Sequence, residues 1–179
     1  MVYVLLGTGF EEVEAIAPID LMRRAGIPVL TVGVDGKAVT GSHGITVEAD
    51  ITLDQMDLTD LDMIVLPGGL GGVATARSSQ STLDALRFAY ENGKFVAAIC
   101  AGPTVLAELG IIGSRQATCY PGCEGGMGEA TMVESACVTD GKLITGASAG
   151  CAIPFALALI TALKGAEEAD RIAKQIVIR

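Results

Sequence analysis

The amino-acid sequence predicts an α/β protein built on a mainly parallel sheet with helices on both faces. Strand-like apolar runs alternate with segments of helical period along the whole chain. The strand-like runs are continuously apolar, which is typical of strands covered on both sides. Because no repeat, linker or low-complexity segment interrupts this alternation, the 179 residues are predicted to form a single domain, residues 1–179.

The elements follow from these patterns in chain order. We predict strands at residues 2–6, 29–34, 63–66, 95–99, 116–119, 131–138 and 143–145, and a small hairpin or loop excursion at 39–47. We predict helices at residues 11–25, 81–92, 104–109, 152–164 and 166–176. Gly26, Gly93 and Gly110 follow three of these helices, as glycine commonly follows a helix C-terminus, and Ser81 is the expected N-cap of the second helix.

Composition and charge narrow the function classes. The formal net charge of −9 argues against nucleic acid or an anionic membrane surface as a partner. Five cysteines without a disulfide-framework spacing indicate a reducing compartment. The first apolar run is too short for a signal peptide and lacks a basic region, and the run at 151–163 is too short to cross a bilayer. A cytoplasmic protein is therefore expected.

Cys100 stands where a strand-like segment meets a helical one. The strand at 95–99 ends at this cysteine, and Gly102 and Pro103 open the helix at 104–109. A nucleophile on a tight strand-to-helix turn is the arrangement of the nucleophile elbow, where the helix dipole favours thiolate over thiol. Free cysteines are also among the most buried residue types, so ordinary core packing is the alternative.

A glycine-rich turn at residues 67–72 follows the strand at 63–66. No Lys-Ser or Lys-Thr pair follows it, which excludes a P-loop, and its spacing does not match a dinucleotide fingerprint. No cofactor is therefore expected. Two glycines after a strand let backbone N–H groups approach a ligand or an oxyanion closely, and a purely structural turn is the alternative.

Three acidic residues, Glu11, Glu12 and Glu14, open the first helix. Compensation of the helix dipole accounts for at least two of them. Glu14 stands among apolar neighbours, and a carboxyl group in such surroundings has a raised pKa and can donate a proton to a thiolate. Pro18 cannot donate to the carbonyl of Glu14, so a kink is expected at that point of the helix.

Three motifs together carry a resemblance to a known family. They are Phe-Glu-Glu-Val-Glu-Ala at 10–15, Leu-Pro-Gly-Gly at 66–69 and Ala-Ile-Cys-Ala-Gly-Pro at 98–103. In this order they resemble the ThiJ/PfpI superfamily, and within it the branch of the Parkinson-associated protein DJ-one and its bacterial relatives. The resemblance extends over almost the whole chain. It implies a flavodoxin-like α/β sandwich that forms a homodimer.

The resemblance also implies roles for individual residues. Cys100 would be the reactive nucleophile, and Glu14 the protonated carboxyl group that hydrogen-bonds its sulfur. The backbone N–H groups of Gly69 and Ala101 would form the oxyanion pocket. Gly68, Tyr120, Cys119 and His43 are further candidates for the lining of the site.

The implied function is that of a cysteine-dependent, glutathione-independent glyoxalase or deglycase. Its substrates would be small reactive 2-oxoaldehydes such as methylglyoxal, or their adducts. The alternative is a non-enzymatic oxidative-stress sensor or redox-regulated chaperone that uses the oxidation of Cys100.

Two departures from the family pattern bear on the chemistry. Tyr120 stands where some relatives have a histidine before a proline, and the only histidine, His43, lies far upstream at the position of a family arginine. Without a histidine after Cys100, neither a peptidase nor a glutamine-amidotransferase triad is expected. Residues 146–150 read Gly-Ala-Ser-Ala-Gly where relatives often carry Arg-Gly-Pro-Gly.

The cysteines beyond Cys100 offer no metal site by their spacing. Cys119 and Cys123 are separated by three residues, and no second pair completes a zinc site, so no metal is expected. We hypothesise that either of them resolves a sulfenate on Cys100 as a disulfide.

Overall fold

A computed structural model describes residues 1–178 of the chain. The strands are β1 (Val2–Leu6), β2 (Val29–Gly33), β3 (Ala38–Thr40), β4 (Thr46–Glu48), β5 (Ile51–Thr52), β6 (Met63–Leu66), β7 (Phe95–Ile99), β8 (Gln116–Ala117), β9 (Thr131–Met132), β10 (Cys137–Asp140) and β11 (Leu143–Gly146). The α-helices are α1 (Glu12–Arg24), α2 (Leu70–Ser78), α3 (Gln80–Glu91), α4 (Pro103–Glu108), α5 (Ala152–Lys164) and α6 (Ala166–Gln175).

A seven-stranded sheet forms the centre of the fold, in the order β10-β11-β7-β6-β1-β2-β5. β10 and β11 pair antiparallel, and every other neighbouring pair in this sheet is parallel. The inner order β2-β1-β6-β7-β11 is that of a flavodoxin-like fold, which confirms the predicted fold class. In such a sheet, ligands bind at the carboxyl ends of the strands, and β6 and β7 are central neighbours there.

Helices cover both faces of this sheet, as predicted. Successive residues of β1 alternate between two core clusters, so that Val4 packs with one and Leu5 with the other. The first cluster includes Phe155 of α5 and Met22 of α1, and the second includes Leu86 of α3. The continuous apolar runs of the sequence therefore correspond to strands that are buried on both sides.

The structure corrects several predicted elements. α2 was not predicted, because Gly71 and Gly72 in its first turn lower helix propensity. Gly72 lies so close to Phe10 that a Cβ would stand 2.7 Å from the Cα atom of that residue. The N-cap of α3 is Ser79, not Ser81, since the Ser79 hydroxyl accepts the N–H of Thr82 at 3.3 Å.

The region between β8 and β10 also differs from the prediction. The single strand predicted at 131–138 is divided into β9 and β10, and the strand predicted at 116–119 shortens to β8. β8 and β9 pair with each other in a separate two-stranded sheet. Thr118 lies beyond this ladder, because its backbone N–H donates to the hydroxyl of Thr145 at 2.9 Å, while its own hydroxyl donates to the carbonyl of Ser135 at 3.2 Å.

The hairpin predicted at 39–47 forms from β3 and β4, which pair antiparallel. α1 continues through Pro18. Among the described residues, none of the helices combines the length and the apolar character that crossing a bilayer demands.

Candidate functional site

Cys100 follows β7 directly and adopts a backbone conformation that non-glycine residues rarely adopt. Its φ is +65°, and α4 begins three residues later at Pro103. The carbonyl of Gly146 accepts the Cys100 N–H at 2.9 Å, and the N–H of Tyr120 donates to the Cys100 carbonyl at 2.9 Å. Strain of this kind, held in place by the surrounding structure, is concentrated at functional sites and matches the predicted elbow.

The glycine-rich turn after β6 lies against this elbow. The N–H groups of Gly69 and Ala101 lie beside the sulfur of Cys100 and lower the pKa of its thiol. Gly68 has no room for a side chain, since a Cβ would stand 2.5 Å from Oε2 of Glu14 and 2.6 Å from the Cβ of Cys100. The structure therefore brings together the four residues to which the resemblance assigned the nucleophile, its acid and the oxyanion pocket.

Glu14 reaches this group from α1 and is fully buried, with 1% of its surface exposed. Its Oε2 accepts the N–H of Gly68 at 2.9 Å, and its carboxyl group interacts with the thiol of Cys100. Among the described residues, its Oε1 has no hydrogen-bonding partner. A buried carboxylate oxygen without a donor is costly, which favours the protonated form of this carboxyl group.

Burial raises the pKa of Glu14 to about 7, as the apolar neighbours in the sequence predicted. The thiol behaves differently from the prediction. Burial, the charge of Glu14 and the hydrogen bond to Glu14 raise the pKa of Cys100 to about 12, although the N–H groups of Gly69 and Ala101 lower it. Burial and Glu14 therefore act against the thiolate that the position before α4 was expected to favour.

The protonation of Cys100 and Glu14 is coupled. The repulsion that raises the pKa of Cys100 exists only while Glu14 is ionised. When Glu14 is protonated, that repulsion vanishes and its O–H can donate to the sulfur beside the two backbone N–H groups. With a carboxyl pKa of about 7, Glu14 divides between the two states near neutral pH, so the pair is poised to transfer a proton.

His43 lies outside this group, in the turn between β3 and β4. Its side chain is 70% exposed, and its Nδ1 lies 3.0 Å from Oε2 of Glu12 and 3.4 Å from Oε1 of Glu11. Its backbone N–H donates to Oε1 of Glu12 at 2.7 Å. The hydrogen bond to Glu12 and the charges of both carboxylates raise the pKa of His43.

These three residues are the described group whose side-chain atoms could hold a metal ion, with all ligand atoms within 4.8 Å of one another. The surroundings of these three residues disfavour metal binding. Both oxygens of Glu12 already accept hydrogen bonds from the hairpin turn, including one from Ser42 at 3.2 Å. The group also lies at the N-terminus of α1, where the helix dipole favours negative charge.

Tyr120 and Cys119 differ in their relation to Cys100. The Tyr120 backbone bonds to Cys100, whereas its side chain is 49% exposed. Cys119 is buried and packs in the core cluster with Val105, whereas Cys100 packs against the other cluster. This packing gives no support to Cys119 as the thiol that resolves an oxidised Cys100.

A cleft of about 640 Å³ lies beside the loop after β8, outside the residues that surround the sulfur of Cys100, and sequence reasoning did not find it. We call it the acidic cleft, since Glu124 and Glu134 are the charged residues of its lining. The other lining residues come from the loop after β8, from residues 132–136 and from Ala147 and Cys151 after β11. The one signal in the sequence was the polar pair Glu134-Ser135 inside an otherwise strand-like run.

The chain is similar to known proteins over nearly its whole length. Residues 1–162 match the model of the DJ-1/PfpI family. The DJ-1beta protein of Drosophila melanogaster is 37% identical over 178 residues, which are 98% of this chain and 95% of that protein. Its crystal structure superposes with a TM-score of 0.95 and covers 99% of this chain and 97% of that one.

Two further relatives bear on the chemistry of the site. The structure of Toxoplasma gondii DJ-1, described as oxidised, has a TM-score of 0.94 at 34% identity and covers 98% of this chain and 97% of that chain. A deglycase of Pyrococcus horikoshii is 32% identical over 146 residues, which are 80% of this chain and 87% of the relative. The family model spans most of the chain and these relatives are more than 30% identical to it, so the chain belongs to the DJ-1/PfpI family.

Proposed function

We propose that this protein is an enzyme that converts reactive 2-oxoaldehydes, free or as adducts, into 2-hydroxy acids without glutathione. The observation that carries the proposal is the pairing of Cys100, on a strained elbow, with a buried carboxyl group whose pKa is about 7 and whose Oε1 is unpartnered. The relative described as a deglycase supports this type of chemistry. In the first step, Cys100 attacks the aldehyde carbon of methylglyoxal while ionised Glu14 accepts the thiol proton.

The N–H groups of Gly69 and Ala101 stabilise the negative charge that develops on the aldehyde oxygen. Glu14 returns its proton to that oxygen, which gives a hemithioacetal on Cys100. Glu14 then removes the hydrogen of the former aldehyde carbon as a proton and delivers it to the ketone carbon, while the hydroxyl proton of the hemithioacetal passes to the former ketone oxygen. The product of this transfer is a thioester with a neighbouring hydroxyl group.

Hydrolysis completes the reaction. Water adds to the thioester carbon, the bond to sulfur breaks, and lactate leaves while the thiol is regenerated. The aldehyde carbon has been oxidised to a carboxylate and the ketone carbon reduced to an alcohol, so methylglyoxal and water account for every atom and no external oxidant is needed. Glu14 is the one buried acid–base group that this sequence of proton transfers requires.

The test is lactate formation from methylglyoxal in the absence of glutathione. We expect many turnovers per chain in the native protein and none in Cys100→Ser. Cys123→Ser is the matched control. The backbone of this half-buried cysteine bonds to Tyr120 and Gly126 and not to Cys100, so the variant should retain the activity. Stoichiometric consumption without product release, or activity indifferent to Cys100, would contradict the enzyme.

A redox sensor is the second candidate, and two observations favour it. Cys100 is partly exposed beside N–H groups that could hold the oxygens of a sulfinate, and one relative was described in an oxidised form. In this case peroxide would modify Cys100 before the other four cysteines, and methylglyoxal would not be turned over. Peptide mapping after mild peroxide, read together with the lactate assay, separates the two functions.

We also propose that the protein forms a homodimer through an apolar surface made of Val13, Ile16 and Ile45. Their side chains are 52%, 41% and 58% exposed, and the N–H of Ile45 donates to Glu12, which places the hairpin turn beside α1. Contiguous exposed apolar side chains favour association. Sedimentation should show a dimer that Ile16→Glu dissociates, whereas Phe88→Glu on α3 leaves it intact.

A further inference from the structure

Two residues at the start of α1 hold the glycine-rich turn in place. The N–H of Glu11 donates to the carbonyl of Gly68 at 3.0 Å, and the N–H of Gly68 donates to Oε2 of Glu14 at 2.9 Å. The first bond fixes the peptide group that follows Gly68, and the second fixes the peptide group that precedes it. The second bond belongs to the site already described, whereas the first has no role there.

The bond from Glu11 determines the direction of the Gly69 N–H. The carbonyl of Gly68 and the N–H of Gly69 belong to one planar trans peptide group, so they point in opposite directions. A carbonyl that is held toward Glu11 therefore turns the N–H to the other side of the peptide. On that side this N–H lies beside the sulfur of Cys100 and lowers the pKa of the thiol.

The turn and the segment at residues 9–11 are in tight contact. Gly69 has a φ of +86°, a conformation that favours glycine. A Cβ at this position would stand 2.4 Å from the carbonyl oxygen of Gly9 and 2.5 Å from the backbone nitrogen of Glu11. The peptide between Gly68 and Gly69 therefore packs directly against residues 9–11.

The hairpin between β3 and β4 anchors residues 9–11 in turn. The N–H of Gly9 donates to the carbonyl of Thr40 at 2.8 Å, and the N–H of Ser42 donates to the carbonyl of Phe10 at 2.8 Å. Both residues that precede Glu11 are thus bonded to the hairpin. These bonds fix the position from which the N–H of Glu11 donates.

We propose that Glu11 is a positioning residue of the site and acts through its backbone N–H, not through its carboxylate. The peptide that it holds presents the Gly69 N–H to the oxygen that becomes negative when Cys100 attacks an aldehyde. A hydrogen bond at the carbonyl also polarises this peptide and makes its N–H a stronger donor. The role toward the oxygen rests on the proposed function, whereas the effect on the sulfur does not require turnover.

The N–H of Glu11 can be removed without breaking a bond of α1. Glu11 is the N-cap of this helix, and the first N–H groups of a helix have no acceptor within it. The carbonyl of Glu11 accepts the N–H of Ala15 at 3.2 Å and is present in any variant. Its φ of −80° lies within the range of proline, whose ring would also displace the Gly68 carbonyl.

The experiment compares Glu11→Pro with Glu11→Ala. Both variants lack the carboxylate, but only the alanine variant keeps the N–H. With methylglyoxal as the substrate, we expect kcat of Glu11→Pro to be about 10–10²-fold below that of Glu11→Ala, because an oxyanion donor acts in the transition state. KM should agree within about threefold between the two variants, since binding of the ground state is unchanged.

Alkylation of Cys100 by iodoacetamide separates positioning from a loosened fold. With the fold intact, loss of the N–H beside the sulfur disfavours the thiolate, so at pH 8 Cys100 should react about threefold or more slowly in Glu11→Pro than in Glu11→Ala. A loosened fold would expose this half-buried thiol and accelerate the reaction. The rate is measured on the peptide that contains Cys100, by mass spectrometry.

A second variant serves if proline unfolds the chain. An ester in place of the amide between Phe10 and Glu11 exchanges the N–H for an oxygen, adds no ring and keeps both side chains. Relative to the native protein, this variant should show the same lower kcat and the same slower alkylation of Cys100.

The possible outcomes are distinct. Equal kcat and equal alkylation rates in Glu11→Pro and Glu11→Ala overturn this inference, since the N–H would then have no role of its own. Faster alkylation in both the proline and the ester variant also overturns it, because the bond would then serve the fold alone. If the native protein forms no lactate, the proposed function fails, and the alkylation rates then decide whether Glu11 positions the Gly69 N–H.

Discussion

Glu12 and Glu14 lie two residues apart on α1, both are buried, and their pKa values move in opposite directions. Burial alone would raise the pKa of Glu12, but N–H groups of its own backbone, of His43 and of Ile45 outweigh burial and hold it at about 2. Glu14 receives a single N–H, from Gly68, and its pKa rises to about 7. Glu14 is more deeply desolvated than Glu12 and has fewer donors, and both differences separate the pKa values of the two carboxyl groups.

The difference assigns the two residues to different tasks. Glu12 is a permanent anion that ties α1 to the hairpin turn through Ser42 and His43. Glu14 is left short of donors beside a thiol, so it can change its charge during a reaction. Substitutions of Glu14 and of Glu12 therefore test the site and the fold separately.

The largest expected effect is on catalysis. Glu14→Gln should lower kcat/KM for methylglyoxal by about 10²–10⁴-fold, because the amide cannot transfer protons. Alkylation of Cys100 by iodoacetamide at pH 8 should be no slower, since the charge that raises the pKa of the thiol is gone. Glu12→Gln should retain activity within a few-fold. Equal losses in the two variants would show that Glu14 acts only through the fold.

The next effect is on stability as a function of pH. The pKa of Glu14 is raised on folding, so its contribution is present below pH 4.5 and is lost as the pH rises through about 7. Urea unfolding should show Glu14→Gln more stable than the native protein at pH 8 by up to about 3 kcal/mol, and no more stable at pH 4.

Glu12→Gln should move stability in the opposite direction. Its pKa is lowered on folding, so its contribution is present above pH 4.5 and is lost as the pH falls through about 2. We expect a loss of about 1–3 kcal/mol at pH 7, the range for donors left without a charged acceptor. Parallel pH profiles for the two variants would contradict the comparison.

A smaller effect is expected from Gly68→Ala, which forces a Cβ between Glu14 and Cys100. Overpacking of this kind costs about 1–3 kcal/mol, and the displaced carboxyl group should lower turnover as well. Gly125→Ala is the control, since no heavy atom lies within 4 Å of its added Cβ. Thermal unfolding of both variants measures the difference, and equal melting temperatures would show that the turn yields freely.

The smallest effect concerns the single histidine. NMR titration of His43 should give a pKa above 6.5, because Glu12 and Glu11 stabilise its charged form. In Glu12→Gln that pKa should move back toward 6.5, and in Glu14→Gln it should not change. A shift in the second variant would show that the two carboxyl groups communicate.

The sequence was sufficient for the parts of the fold that depend on local pattern. The apolar runs at β6 and β7 and the helical period of α5 predicted these elements closely, and Cys100 was found at the corner between β7 and α4. α2 could not be predicted from local pattern, because only glycine fits at position 72 beside Phe10, and this contact joins residues that are far apart in the sequence.

The site was predictable only where a motif named it. Glu14, Gly69 and Ala101 came from the resemblance, and the structure brings them to Cys100. Glu12 was interpreted as dipole compensation, because its donors lie some thirty residues away in a turn that carries no motif. The raised pKa of Cys100 was missed for the same reason, since it depends on burial and on the charge of a residue on another element.

The elbow draws on three distant parts of the chain: Glu14 from α1, Gly68 after β6 and Cys100 after β7. Their meeting requires β1, β6 and β7 to be paired side by side, which closes loops of more than thirty residues. In the unfolded chain Cys100 is an ordinary thiol. Its distinctive reactivity thus appears only when the centre of the sheet is complete, and a thiol reagent applied during refolding would serve as a clock for that event.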